Sequence, residues 1–280
     1  MKVLITGAGG QLGREMAKIC HEQGMDVFAA DSKMLDITDF SAVKQVFAEF
    51  SPGWVINCAA YNAVDQAETE WKRAYLVNGY GPKHLALAAA EQGAVLVHYS
   101  SDYVFDGKNT SPYTVADIPR PLSRYGTSKL LGEQMVRYHC PRHYVIRTAW
   151  VFGKGKENFV EKVRAWGRAN DEIRVVDDQV STPTFTTDLA GATLDLLETG
   201  LYGLHHLTNS GSCSRYAWAK KVLETEGWEG TLLPAKTSDF PAPAERPLYS
   251  VLDNFGTAEA IGRRMPPWED AVERYLGGAC

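Results

Sequence analysis

Tyr125 and Lys129 stand four residues apart in Tyr125-Gly126-Thr127-Ser128-Lys129, a spacing that puts both on one face of a helix. A phenol ordinarily titrates near pH ~10 and is a poor acid–base catalyst at neutrality. An ammonium beside it favours the phenolate and brings it toward the working range. The same spacing recurs in Tyr216-Ala217-Trp218-Ala219-Lys220, so context has to choose between the two. Tyr125 follows the apolar run ending His98-Tyr99-Ser100-Ser101-Asp102-Tyr103 at a distance that returns a helix onto a sheet, whereas Tyr216 lies far into the C-terminal part. A hydroxyl at the end of that run can donate to a substrate carbonyl oxygen and polarise it. Ser100 and Ser101 both qualify, but neighbours on a strand point to opposite faces, so one of them serves.

The second cluster is a turn of glycines. Gly7, Gly10 and Gly13 follow a first apolar run, Val3-Leu4-Ile5, and open a helical stretch from Gln11 to Gln23. Glycine lets backbone turn tightly, approach a pyrophosphate and pack helix on strand. The helix N-terminus, with Gln11 and Leu12 beside the glycines, offers free N–H groups to phosphates. Asp31 ends the next apolar run, 18 residues beyond Gly13. A carboxylate there can accept from a ribose 2′-OH and favours NAD, while Arg14 and Lys33 nearby can tolerate a 2′-phosphate. Asp36 and Ile37 are expected to flank the adenine. Ala59, Ala60 and Tyr61 leave the third apolar run, where small residues suit a cofactor's passage. NADH and NADPH both remain open.

These residues need a scaffold. Apolar runs at Val27–Ala30, Val55–Cys58, Val95–Tyr99, Tyr144–Arg147 and Ile173–Val176 continue the series begun at Val3. Helical patterns separate them, among them Ala42–Phe50, Ala74–Gln92 and Tyr125–Tyr138. Continuous apolar strands alternating with helices predict an α/β fold, a Rossmann-type doubly wound parallel sheet covered on both faces. Beyond Trp150 the pattern changes, with helices at Thr187–Glu198 and Arg215–Glu226 and a proline-rich loop from Pro234 to Pro247. The expected plan is a dinucleotide-binding domain over 1–150 and a smaller substrate lobe over 151–280, with the chain crossing back between them.

Composition narrows the partners. The chain has 280 residues, 45% hydrophobic, with a formal net charge of −5 and no Lys/Arg run, which argues against nucleic acid. Cys20, Cys58, Cys140, Cys213 and Cys280 are odd in number and lack metal-ligand spacing; they read as mostly buried, reduced thiols of a cytoplasmic protein. The start is no signal peptide, and no stretch approaches the roughly 20 apolar residues of a membrane span.

With these residues in view the chain resembles the dTDP-4-dehydrorhamnose reductases, the RmlD-like group of extended short-chain dehydrogenases. The resemblance runs nearly the whole length: Gly7–Gly13, Asn57–Glu68, Ser101–Gly107, Tyr125–Lys129, Arg147–Gly153, Asp178–Thr184 and Arg246-Pro247. It implies reduction of a sugar-nucleotide C4 ketone by NADPH or NADH. Tyr125 would protonate the forming alkoxide, Lys129 would tune it and hold the nicotinamide ribose, and Ser101 would take the place of the family's usual Thr hydroxyl. Asp102, Tyr103 and Trp150 map onto sugar-binding positions, Trp150 by stacking. Arg246 is a candidate for the diphosphate, or else a surface salt bridge.

The sequence departs from the family at Asn62, where Thr is usual. Some members bind magnesium at a subunit contact through an acidic residue of the first helix, the position of Glu15. A carboxylate in a helix's first turn is already explained by the dipole, so no metal is expected. A homodimer is compatible with the resemblance. Two rivals stay in view. Sugar-nucleotide dehydratases carry Thr-Asp-Glu at the fourth strand, but Asp102 is followed here by Tyr103; an epimerase would keep its cofactor through turnover. A non-catalytic regulatory subunit, like the β subunit of methionine adenosyltransferase, would use the same fold to bind a partner.

Overall fold

A computed structural model describes residues 1–277; Cys280, one of the five thiols, lies outside them. The chain begins β1 (Lys2–Thr6), α1 (Gln11–Glu22), β2 (Asp26–Ala30), α2 (Phe40–Phe50), β3 (Trp54–Asn57). It continues through α3 (Trp71–Tyr75), α4 (Gly81–Gln92), β4 (Val95–Ser101), α5 (Arg124–His139) and β5 (His143–Thr148). Alternation decides the layers. Val3, Ile5, Val97, Tyr99, Tyr144 and Ile146 point to one face and pack with Met16 of α1. Leu4, Val55, Leu96 and Val145 point to the other and pack with Val43 and Phe47 of α2 and Leu85 of α4. Each such side chain contributes roughly 1.5–3 kcal/mol on burial.

The second half carries β6 (Val151–Phe152), α6 (Phe159–Ala169), β7 (Glu172–Val176), β8 (Val180–Ser181), β9 (Thr184–Phe185) and α7 (Thr186–Thr199). Then come β10 (Gly203–His206), β11 (Cys213–Ser214), α8 (Arg215–Thr225), β12 (Thr231–Ala235), α9 (Phe255–Ile261) and α10 (Trp268–Leu276). The main sheet has six parallel strands in the order β10-β5-β4-β3-β1-β2. Its sixth strand corrects the sequence reading. Ile173–Val176 was expected to continue the sheet, yet it pairs with Thr231–Ala235 in a separate two-stranded sheet. The place beside β5 goes to Gly-Leu-His-His, whose single aliphatic residue hides it from an apolar-run criterion. Helix α7 packs on α1 and brings Leu189 and Leu196 into the same core layer as Met16. A further core of Phe152, Val160, Trp218, Val222 and Tyr275 holds the smaller C-terminal region.

Two other boundaries move. Pro234 and Ala235, read as loop, end β12 at its pairing with β7, a position open to proline because this is an edge strand. The expected helix Ala74–Gln92 is broken by a π turn over Leu76–Tyr80. Pro82 is the cause: it has no N–H to give the Asn78 carbonyl one turn back. That carbonyl faces α5 instead, so closely that a Cβ on Gly132 would lie 2.2 Å from it. Among the described residues no helix is long and apolar enough to cross a membrane.

Candidate active site

Strand order reverses at β1, which lies between β2 and β3, and the crevice beyond the carboxyl ends of β1 and β3 is where this topology takes ligands. Gly7 follows β1 at φ 68° and presses on the loop after β3, where a Cβ would meet Ala59 N at 2.5 Å. A Cβ on Gly13 would lie 2.3 Å from the Gly7 carbonyl. Both positions therefore require glycine. Helix α1 has neither a side-chain cap nor an acidic residue in its first turn, so its first N–H groups and dipole fit an anionic pyrophosphate.

One cavity gathers Gly10, Gln11, Leu12, Gly13, Ala59, Ala60, Ser101, Asp102, Tyr103, Tyr125, Lys129 and Trp150. Gly7, Asp31, Asp36, Ile37 and Tyr61 do not line it, and Arg246 lines a neighbouring groove. Asp31 Oδ1 accepts from the N–H groups of Lys33 and Met34 at 2.8 and 3.1 Å, which lowers its pKa; a Cβ on Gly9 would come 3.6 Å from its Cβ. Asp36 closes a similar turn on Thr38. Ile37 was expected to flank an adenine, but its side chain is buried in the core against Gly81. Tyr61 turns its hydroxyl to Glu70 at 2.9 Å.

Tyr125 is the second residue of α5, whose N-cap Ser123 accepts from Gly126 N–H. Gly126 lets the helix press on Tyr103, where a Cβ would lie 2.2 Å from the carbonyl; Tyr103 packs edge-on against Tyr125 with ring centroids 5.6 Å apart. Lys129 follows one turn later, buried, and its Nζ donates to the Tyr99 carbonyl at 2.6 Å. This corrects the electrostatics expected from the sequence. Burial, the largest influence, pushes the Tyr125 phenol up, and the group acting against it is the Ser101 hydroxyl, not Lys129. Lys129 itself is lowered to about 8, chiefly by burial, with Glu133 and Cys58 opposing.

Ser101 ends β4 and starts a 3-10 turn; its Oγ accepts from Tyr103 N–H at 3.1 Å and donates to Asp102 Oδ1 at 3.0 Å. Ser100 points the other way and donates to Glu133, which Arg147 grips bidentately at 2.7 and 2.8 Å. That buried pair ties α5 to β5. Asp102 borders the cavity but its carboxylate is engaged within the protein, since Ser181 and Ser250 also donate to it, and burial raises its pKa.

Trp150 differs from expectation. It sits at φ 43°, stacks on Trp218 with centroids 5.6 Å apart, and carries the Arg215 guanidinium 3.6 Å from its ring centre. The ring expected to receive a sugar face thus serves as a platform for a cation. Arg246 forms the salt bridge foreseen as its alternative, to Asp65 at 2.8 Å. Tyr216 lines neither space and donates weakly to the Leu232 carbonyl. Glu15 lies beyond the first turn of α1 and pairs with Lys18 at 3.8 Å, so the helix-end explanation given for it fails; among the described residues no cluster suited to a metal forms.

Sequence reasoning missed three residues. Asn57 accepts from Thr6 and from Ala59 N–H and contacts His98, tying the ends of β1, β3 and β4. Asn78 clamps both backbone groups of Tyr61 and donates to Ser128. Arg215 reaches the cavity from the C-terminal region. A buried-looking Asn beside Cys58 was a visible signal for the first; nothing local marked the other two.

A glycine-turned parallel sheet with a phenol and an ammonium beside its ligand crevice defines an NAD(P)-dependent oxidoreductase. The chain belongs to the RmlD substrate binding domain family, whose model matches residues 1–279, and so to the NAD(P)-dependent sugar-nucleotide reductases. It is 42% identical to the spore coat polysaccharide biosynthesis protein SpsK of Bacillus subtilis, over 98% of this chain and 96% of that one. A crystal structure of a dTDP-4-dehydrorhamnose reductase from Clostridium acetobutylicum superposes with a TM-score of 0.96 at 43% identity, covering 99% of both chains. The dTDP-4-dehydrorhamnose reductase of Bacillus anthracis, solved with NADP, gives a TM-score of 0.96 at 39% identity, again over 99% of each.

Proposed function

We propose that this protein reduces the C4 ketone of dTDP-4-dehydro-β-L-rhamnose to dTDP-L-rhamnose. The observation that carries the reading is the meeting of Tyr125, Ser101 and Lys129 with the glycine turn in one cavity. A reduced nicotinamide dinucleotide bound along Gly10–Gly13, Ala59 and Ala60 supplies the hydride. Similarity to a reductase solved with NADP supports NADPH, and Asp31 Oδ2, free of protein partners among the described residues, leaves NADH open as well.

The chain's own groups do the rest. Tyr125 delivers its phenolic proton to the alkoxide oxygen that forms at C4; burial keeps that proton in place until it is needed. Ser101, beside Tyr125, polarises the ketone by turning its hydroxyl from Asp102 to the substrate oxygen. Lys129 holds its ammonium on the same helical face, steadied by Tyr99. Similarity at 41% identity to a probable dTDP-4,6-dihydroxy-2-methyloxan-3-one 4-ketoreductase of Streptomyces antibioticus keeps a neighbouring keto sugar nucleotide as the second reading.

The test is the loss of reduced-nicotinamide absorbance with NADPH, then NADH, on dTDP-4-dehydrorhamnose made in situ. Cofactor oxidation with dTDP-L-rhamnose as product is the expected result. Binding of both cofactors without oxidation would transfer the assignment to another sugar nucleotide or to a regulatory subunit.

A further inference from the structure

Arg215 opens α8 directly after Ser214, whose Oγ caps the helix by accepting from Ala217 N–H. Its guanidinium lies 3.6 Å from the ring centre of Trp150, 5.0 Å from that of Phe159 and 5.4 Å from that of Trp218. These aromatic walls leave it half-buried, and burial lowers its pKa to about 10. A guanidinium carries five N–H donors and no acceptor. Among the described residues those donors find no hydrogen-bond or ion-pair partner: Asp102 and Tyr103 act on Arg215 only from a distance. Asp102 is already committed to the hydroxyls of Ser101, Ser181 and Ser250.

Arg246 makes the contrast. It is near enough to oppose the charge on Arg215, but its own charge is answered by Asp65 and one of its N–H groups by the Ala244 carbonyl. Two cations therefore converge, and one is unmatched. Arg215 also stands where the two spaces join, lining both the cavity of Tyr125 and the groove beside α6 and β7. Its platform is strained to hold it there: a left-handed conformation at a non-glycine residue such as Trp150 costs about 1–3 kcal/mol and persists only where its surroundings over-determine it.

We infer that Arg215 grips the diphosphate of the sugar nucleotide at this junction and so fixes the sugar against Tyr125. The assignment rests on the sugar-nucleotide reading of the site. The planar fork of Arg matches phosphate oxygens two at a time, and a site walled by rings makes each such bond stronger than it is in water. With one phosphate oxygen pair held at the bend, the sugar lies on the Tyr125 side and the nucleoside runs along the groove.

Calorimetric binding to wild type, R215M and R215K, with dTDP, UDP, thymidine, uridine and NADPH as probes, tests this. R215M keeps an unbranched side chain on the indole while removing the charge. It is expected to weaken the better-bound nucleoside diphosphate by about tenfold or more, the worth of charge-assisted hydrogen bonds. Binding of the matching nucleoside and of NADPH stays at the wild-type value, and R215K recovers part of the loss. Wild-type affinity of R215M for dTDP and UDP overturns the assignment. So does a parallel loss of NADPH or nucleoside binding, which marks Arg215 as structural. Failure of the wild type to bind either diphosphate sinks the sugar-nucleotide reading itself, and this inference with it.

Discussion

Helices α5 and α8 open with the same residues. Ser123-Arg124-Tyr125 is followed by Lys129, and Ser214-Arg215-Tyr216 by Lys220. In both the Ser is the N-cap, accepting from the N–H three residues on. The helices then present opposite sides to the ligand space. In α5, Tyr125 and Lys129 face the cavity, while Arg124 is exposed over Trp71. In α8, Arg215 and Trp218 face the cavity, while Tyr216 points to Leu232 and Lys220 pairs with Glu224 at the surface. The helical period decides which residues share a face, and packing decides which face looks inward. Gly126 is part of that decision, because it lets α5 seat against the Tyr103 carbonyl; α8 has Ala217 at the equivalent position.

The sharpest break between the two helices is Tyr125→Phe against Tyr216→Phe. Loss of the Tyr125 hydroxyl should lower kcat by on the order of 10²–10⁴, the range for a positioned general acid, with NADPH affinity unchanged in a calorimetric titration. Lys129→Met comes next, at about one hundredfold. Its readout is the pH profile: the ammonium is lost as pH rises through about 8, so wild-type kcat/KM should fall above that pH and the variant should lack this limb. A wild-type profile flat through that region would remove Lys129's charge from the mechanism.

Smaller effects compare the two faces of β4. Ser101→Ala should cost on the order of tenfold or more in kcat, the lower end for losing one donor to a developing oxyanion. Ser100→Ala should instead lower stability by about 1 kcal/mol in denaturant unfolding, because it takes a hydrogen bond from the buried Glu133–Arg147 pair. The reverse pattern would exchange their roles. Tyr216→Phe is the smallest, with steady-state rates indistinguishable from wild type; a hundredfold loss would place the proton donor on α8 instead of α5.

Much of the sheet was legible in the sequence because its strands are apolar on both faces and their helices follow the 3.6-residue period. The glycine turn was legible because Gly7 and Gly13 answer a steric demand that no other residue meets. Tyr125 was separable from Tyr216 only through the strand that precedes it. Gly203–His206 escaped because its neighbours on the sheet, rather than its own composition, make it a strand. The groups expected to tune Tyr125 were misjudged for a related reason: a four-residue spacing shares a face, but it does not say that the lysine tip turns to the Tyr99 carbonyl instead of the phenol.

The sequence by itself determined the apolar strands at the centre of the main sheet, most of the helices between them and the glycine positions, because each depends on steric and hydrogen-bonding demands within a few residues of chain. The tertiary structure alone decided that Trp150 lies under Arg215, that Asp65 neutralises Arg246 and that Asn78 clamps Tyr61. Those contacts join residues far apart in the chain. Their energies depend on which charges end up paired and which are stripped of water, and only the packed molecule sets that.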